Sequence, residues 1–300
     1  VMSMLSSRAF ALSLLLLAIP AALCSCAILF RQDKLIYRPR IYNAEMLGKF
    51  STATRSIVSV TSQGEMSSWY VPPRSGEPQV LPARLWIIFG GNSGVATDWA
   101  GFARDYSDDR CGWLLIEYPG YGKNGGRPSP KAILEASEAA VDGLAREFGT
   151  DRAALLSRAT LMGHSLGSAT CLQFAANNPT SRVVLLAPFT SLRKMARRLL
   201  GTSGGWVLSS NQNYNNTDRM RELSAREIPP RVLIIHGAKD NVVPSKMGEE
   251  LAAEFPEFSM LLILPEADHI SIFYAYRPDV FAALAGFVER SDNVPSTSAK

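Results

Sequence analysis

Histidine and cysteine are scarce in this chain, three and four residues among 300. So few cysteines, without the paired spacing of a staple or a zinc site, exclude a disulfide framework and a metal-ligand cluster. Charge is thin as well, with Asp, Glu, Lys and Arg making up 19% of the residues. Five of the 31 basic and one of the 27 acidic residues fall in the first forty positions, leaving 26 of each sign beyond them. A nucleic-acid binder would carry a basic domain, so that partner class is excluded. No internal repeat or low-complexity tract is present, which excludes a solenoid.

What remains is 47% hydrophobic and patterned. Short apolar runs recur at Leu85–Phe89, Trp113–Glu117, Ala159–Met162, Val232–Ile235 and Met260–Leu264. Helical patterns separate them. Ser129 and Pro130 open one, with Ile133, Ala136, Ala140, Leu144 and Phe148 at three-to-four spacing, and Val280, Leu284, Phe287 and Val288 repeat the pattern near the end. Alternating strands and helices predict one α/β domain with a mostly parallel sheet. Arg55–Thr61 and Met66–Val71 read as an antiparallel edge joined by a Gln63-Gly64 turn.

Gly163-His164-Ser165-Leu166-Gly167 follows the third of those runs directly and precedes a helical stretch, Ser168 to Ala176. A serine on a sharp strand-to-helix turn needs flanking glycines, because the helix must pack close to the strand. This predicts a nucleophile elbow, the alternative being a buried serine at a helix N-cap. A serine hydroxyl must be activated by a base, usually an imidazole held in one tautomer by a carboxylate. His164 lies inside the elbow and should point away from the Ser165 hydroxyl. His236 closes an apolar strand, which suits a packed or hydrogen-bonded histidine. His269 stands in the loop after Met260–Leu264 and is the candidate base. Asp240, in the loop after His236, is the candidate acid, since this elbow is followed in chain order by acid and then base. Its other use would be an Asx turn ahead of a helix starting near Pro244. Asp268 is its rival, but a residue adjacent to the base rarely reaches the second ring nitrogen. The oxyanion needs two backbone donors, and the N–H groups of Leu166 and of Asn92, in Gly90-Gly91-Asn92-Ser93-Gly94, are the candidates.

With GHSLG, GGNSG, Tyr118-Pro119-Gly120-Tyr121-Gly122 and Gly237-Ala238-Lys239-Asp240 in order, the chain resembles the α/β-hydrolase superfamily from about Leu35 to Arg290. Within it, the chain is similar to the membrane-anchored branch of palmitoyl-thioesterase-like and monoacylglycerol-lipase-like enzymes, whose serine-aminopeptidase cousins share the core. The resemblance implies Ser165 as nucleophile, Asp240 as acid, His269 as base, Asn92 and Leu166 as oxyanion hole, and no cofactor. That branch usually carries His-Gly before the oxyanion residue, where this chain has Gly90-Gly91. A backbone donor survives the change, but loop rigidity is not carried over. Gly120 to Gly125 also satisfies GxGxxG. With Pro119 before it, no helix opening directly after it and no acidic residue ending a second strand about twenty positions on, it reads as a loop near the pocket instead of a dinucleotide site.

Two regions bear on location. Between Pro188 and Pro229 lies a short cap insertion, about 189–228, in which Leu192, Met195 and Leu199 mark one helix face and Arg193, Lys194, Arg197 and Arg198 the other. That face is either solvated or a basic amphipathic segment above the site. Ala9 to Phe30 holds no charge over 22 residues and ends near Leu23-Cys24-Ser25-Cys26. Residues 1–30 thus read as a signal, lipoprotein or membrane-anchor segment with Cys26 as the lipidation candidate, residues 31–290 as the hydrolase domain and 291–300 as a disordered tail. Lipoprotein processing and a retained span with Arg31, Lys34, Arg38 and Arg40 behind it place the domain on opposite sides of a membrane. The expected function is hydrolysis of carboxylic esters or thioesters of small-molecule or lipid origin. A small-peptide hydrolase and a non-catalytic, membrane-tethered binding protein on the same fold are the alternatives.

Overall fold

The computed structural model describes residues 32–77, 79–201 and 212–292. Eight strands form one sheet in the order β1-β2-β4-β3-β5-β6-β7-β8. They are β1 Arg55–Thr61, β2 Gly64–Val71, β3 Arg84–Phe89, β4 Cys111–Ile116, β5 Ala159–His164, β6 Arg182–Leu186, β7 Arg231–Gly237 and β8 Ser259–Leu264. β1 and β2 pair antiparallel, β2 joins β4 antiparallel, and every other pairing is parallel. The hairpin turn is Ser62-Gln63, one residue earlier than the sequence suggested, because Thr61 pairs with Gly64. Gly64 takes φ 101° there, a value that costs glycine nothing.

Each central strand is apolar throughout because helices cover both sheet faces. Alternation along the strands divides the core. Ile87, Phe89, Leu161 and Leu185 pack with helices α4 (Pro130–Glu147) and α6 (Leu166–Asn177), while Trp86, Ile88, Met162 and Leu186 pack with α3 (Ala100–Asp105) and α10 (Arg277–Asp292). In α4 the Ser129 side chain accepts from the Ala132 N–H and Pro130 occupies the first turn, a start in which the missing proline N–H is no loss. The shorter helices are α1 Gln32–Ile36, α2 Ala44–Leu47, α5 Arg152–Ser157, α7 Leu192–Leu200, α8 Asn216–Ser224 and α9 Ser245–Glu254. The cap contributes α7 and α8, tied by a bridge between Ser191 and Asn215. Cys111 and Cys171 are buried free thiols.

The chain leaves β3 in one direction across the sheet for β4 and in the other for β5 and beyond. Ligands of open α/β sheets bind outside the carboxyl ends of strands at such a reversal. The loops after β3 and β5 meet there, and they carry Asn92 and Ser165. α10 runs to Asp292, two residues past the boundary expected from sequence. The N-terminal segment with Cys26, and residues 293–300 of the tail, lie outside the described residues. Among the described residues no helix is long and apolar enough to cross a membrane.

Candidate active site

Ser165 sits between β5 and α6 at φ 55°, ψ −118°, outside the regions open to an ordinary L-residue at low energy. Close packing holds it there. A Cβ on Gly163 would lie 2.1 Å from the Gly167 carbonyl oxygen, and one on Gly167 would lie 2.0 Å from that of Phe89. Only glycine allows α6 to approach both strands so closely. The Ser165 N–H donates to the Leu186 carbonyl at 2.9 Å and the Ser168 hydroxyl donates to the Ser165 carbonyl at 2.6 Å, so the turn is fixed on both sides.

Asp240 and His269 come from the loops after β7 and β8. The His269 Nδ1–H donates to Asp240 Oδ2 at 2.7 Å. Asp240 Oδ1 accepts from the N–H groups of Val242 and Val243, both at 2.8 Å. The Asx turn and the acid role considered from sequence therefore coexist, one on each oxygen. Burial alone would raise the Asp240 pKa, but hydrogen bonds from His236, His269 and the Val243 backbone outweigh it and hold the carboxyl well below its usual range. His236 is fully buried beneath the acid. Its Nε2–H donates to the Val243 carbonyl at 2.9 Å and lies 3.4 Å from Asp240 Oδ2. Asp268 is engaged elsewhere, its Oδ1 accepting from the Ile270 and Ser271 N–H groups.

His164 turns to the base's loop. Its Nε2–H donates to the His269 carbonyl at 3.1 Å, and its ring stands edge-on to Phe273 at 4.4 Å. Burial, then the neighbouring His269, push its pKa down to about 3, so it stays neutral and donates one fixed hydrogen bond. The loop after β3 is held by two buried tyrosines. Tyr118 donates to the Gly90 carbonyl at 2.8 Å and Tyr121 to the Asn92 carbonyl at 2.5 Å, while the Arg38 N–H also reaches the Asn92 carbonyl at 2.8 Å. Gly91 lies against Ser165: a Cβ added to it would come within 3.7 Å of the serine Cβ. Rigidity absent from Gly90-Gly91 itself is thus supplied by the YPGYG segment. Sequence reasoning placed that segment near the pocket without assigning it a task. In the same segment the Gly120 N–H donates to the Gly125 carbonyl at 2.8 Å, and the Asn124 side chain bonds both the N–H and the carbonyl of Ser67 on β2. It is a pinned loop with no helix opening from it.

Two cavities meet at Ser165, Asn92 and His269, which line both. One, of about 530 Å³, is bounded by Leu35, Leu192, Met195, Leu199 and Val243 from α1, the cap and the acid loop. The other, of about 420 Å³, carries Arg40, Lys49, Arg277 and Asp98 beside Trp99 and Phe273. Beyond the catalytic and oxyanion candidates and the Leu192, Met195 and Leu199 face of the cap helix, these lining residues had not been assigned from sequence, because each set is gathered from distant elements.

The profile of the α/β-hydrolase fold matches residues 87–207. The chain is 30% identical to the uncharacterized protein Rv2307c of Mycobacterium tuberculosis over 258 residues, 84% of this chain and 86% of that one. It is 23% identical to the uncharacterized protein YfhR of Escherichia coli, over 83% and 81% of the two chains. Among solved structures, the esterase Pf2001 of Pyrococcus furiosus superposes with a TM-score of 0.62 at 14% identity, covering 85% of this chain and 98% of that one. A serine hydrolase without lid from Xanthomonas campestris superposes at 0.54 and 17% identity, covering 83% and 99%. At those identities the likeness speaks to fold alone.

Proposed function

We propose, from the premise that this chain belongs to the α/β-hydrolase fold family, that it is a serine hydrolase of carboxylic esters or thioesters working through an acyl-enzyme on Ser165. The observation that carries this reading is a strained serine at the sheet's reversal point, with His269 lining the same cavities and bonded behind them to the buried Asp240. Donation from His269 Nδ1 to the Asp240 carboxylate leaves the Nε2 lone pair as the basic position. In this mechanism Nε2 takes the Ser165 proton as Oγ attacks the substrate carbonyl, and the Asp240 charge stabilises the imidazolium that results. The Asn92 and Leu166 N–H groups are assigned to the oxyanion. His269 then gives its proton to the leaving oxygen or sulfur, and water repeats the sequence to release the acid.

Residues 1–30 are proposed to tether this enzyme to a membrane, with Cys26 as the lipidated residue if they are processed. Support comes from where the chain emerges. α1 follows that segment directly and lines the apolar cavity, whose mouth exposes Leu35 (61%) and Leu199 (72%). Tethering would raise the effective concentration of membrane-borne acyl groups without a new contact.

One experiment addresses both parts. A fluorophosphonate probe applied to fractionated cells should label the full-length chain stoichiometrically in the membrane fraction, and Ser165→Ala should lose labelling and ester hydrolysis together. Undiminished labelling of the variant would implicate another serine, and an unlabelled native chain would favour the binding-protein alternative. Preference for aminoacyl anilides over esters would move the activity to peptides, and recovery in the soluble fraction would remove the tether.

A further inference from the structure

The two cavities at Ser165 differ in chemistry. Apart from the shared His269, the only ionisable residue lining the larger one among the described residues is Arg38, whose side chain is exposed. The smaller one gathers two guanidinium groups and an ammonium against one carboxylate. Arg40 pairs with Asp98 inside it at 2.7 Å, and Arg277 is held by Asp105, which does not line it. Lys49 is exposed and has no ion pair among the described residues, so its charge is available to whatever enters. Both volumes lie in the range of about 300–1,000 Å³ usual for small-molecule sites.

A substrate reacting at Ser165 has two ends, and each cavity admits one of them at lower cost. An alkyl chain in the larger cavity removes apolar surface from water against Leu35, Leu192, Met195 and Leu199, whereas an anionic group there would be desolvated with only the solvent-exposed Arg38 to face it. Placed in the smaller cavity, the same charged group meets Lys49, Arg40 and Arg277. We infer, resting on the serine-hydrolase reading, that the substrate is an acyl ester or thioester of an anionic leaving group, its acyl chain lying against α7 and its leaving group in the cationic cavity. Ser165 Oγ bonds to the carbonyl carbon as the bond to the leaving oxygen or sulfur breaks. His269 supplies that atom's proton, and water then cleaves the Ser165 ester to give the fatty acid.

The test uses the full-length chain in detergent micelles with butanoyl, octanoyl and hexadecanoyl phenyl esters, each bearing either a para-sulfonate or a neutral para-sulfonamide. The native chain should favour the longer acyl groups and the sulfonate. Met195→Trp, which fills the apolar cavity from α7, should lower kcat/KM for hexadecanoyl relative to butanoyl esters by about tenfold, the scale of misfit in an apolar pocket. Ala196→Phe makes the same test if the tryptophan does not fold. Lys49→Glu should lower the sulfonate-to-sulfonamide ratio by about fivefold, the upper scale of one exposed charge pair. Unchanged ratios in enzymes that still react with a short fluorophosphonate would overturn this assignment and leave the hydrolase reading intact. A swap, with Lys49→Glu altering chain-length preference and Met195→Trp the charge preference, would overturn it too. Failure of the native chain to react with the probe would remove the reading on which it rests.

Discussion

At the scale of single residues the acid is the sharpest question, because Asp240 and Asp268 stand beside the same histidine and differ in burial and in what their oxygens do. Asp240 accepts from His269 Nδ1, and replacing it with Asn puts an amide where the carboxylate oxygen must accept. Asp240→Asn should therefore lower kcat by about four orders of magnitude through the wrong imidazole tautomer. Asp268→Asn should leave kcat near the native value, since Asn keeps the side-chain oxygen that accepts from Ile270 and Ser271. Stopped assays on both variants decide it, and equal losses would count against Asp240. Chain order and loop position made these two residues and His269 legible in the sequence. The work of His164 was not. Its donation to the His269 carbonyl joins residues 105 positions apart, and no local spacing encodes such a contact. The same holds for Tyr118 and Tyr121, which reach back 28 and 29 residues to fasten the loop carrying Asn92.

Elements were more legible than contacts. The apolar runs coincide with β3, β4, β5, β7 and β8 to within a residue or two; the first four are apolar nearly throughout because both their faces are covered, whereas the edge strand β8 is only partly buried and leaves Leu261 exposed. α4 was readable from its cap and period. The cap insertion was readable only in outline, since a helix with Arg193, Arg197 and Arg198 on one side gives no indication of what lies across from Leu199. The elbow is the element in which sequence and packing are most tightly bound. Gly167→Ala would drive a methyl group toward the Phe89 carbonyl, an oxygen 2.0 Å from the new carbon before relaxation. A backbone atom cannot swing aside as a flexible side chain can, so α6 must move from β3 or Ser165 must leave its φ of 55°. We expect a loss of about 1–3 kcal/mol by denaturant titration together with loss of fluorophosphonate labelling, although Ser165 and His269 are unaltered in identity. A variant with native stability and labelling would show that the close approach is not what holds the serine.

For the molecule as a whole, two buried groups set opposing demands on pH. His164 is held neutral, its pKa pushed from 6.5 down to about 3 by burial and by His269. Its contribution is fully present above pH 6.5 and is lost as pH falls from there toward 3, because the unfolded chain takes up a proton that the folded one refuses. Glu117, at the end of β4 beneath Tyr42 and the Ala96 N–H, is pushed from 4.5 up to about 8, chiefly by burial. Its contribution is fully present below pH 4.5 and is lost as pH rises toward 8, because here the folded chain holds the extra proton. Between 4.5 and 6.5 the two slopes have opposite sign and equal size, about 1.4 kcal/mol per pH unit each, so they cancel. Stability should therefore be level across that window, fall below it with His164 and fall above it with Glu117. Glu117→Gln keeps an acceptor for Tyr42 and Ala96 while removing the titration. In that variant the decline between pH 6.5 and 8 should vanish, and the level region should tilt so that stability rises with pH from 4.5 to 6.5. Urea titrations of both chains at half-unit pH steps measure this directly. A variant whose curve parallels the native one would mean that Glu117 titrates alike in the folded and unfolded chain, in which case burial at the end of β4 does not hold its proton.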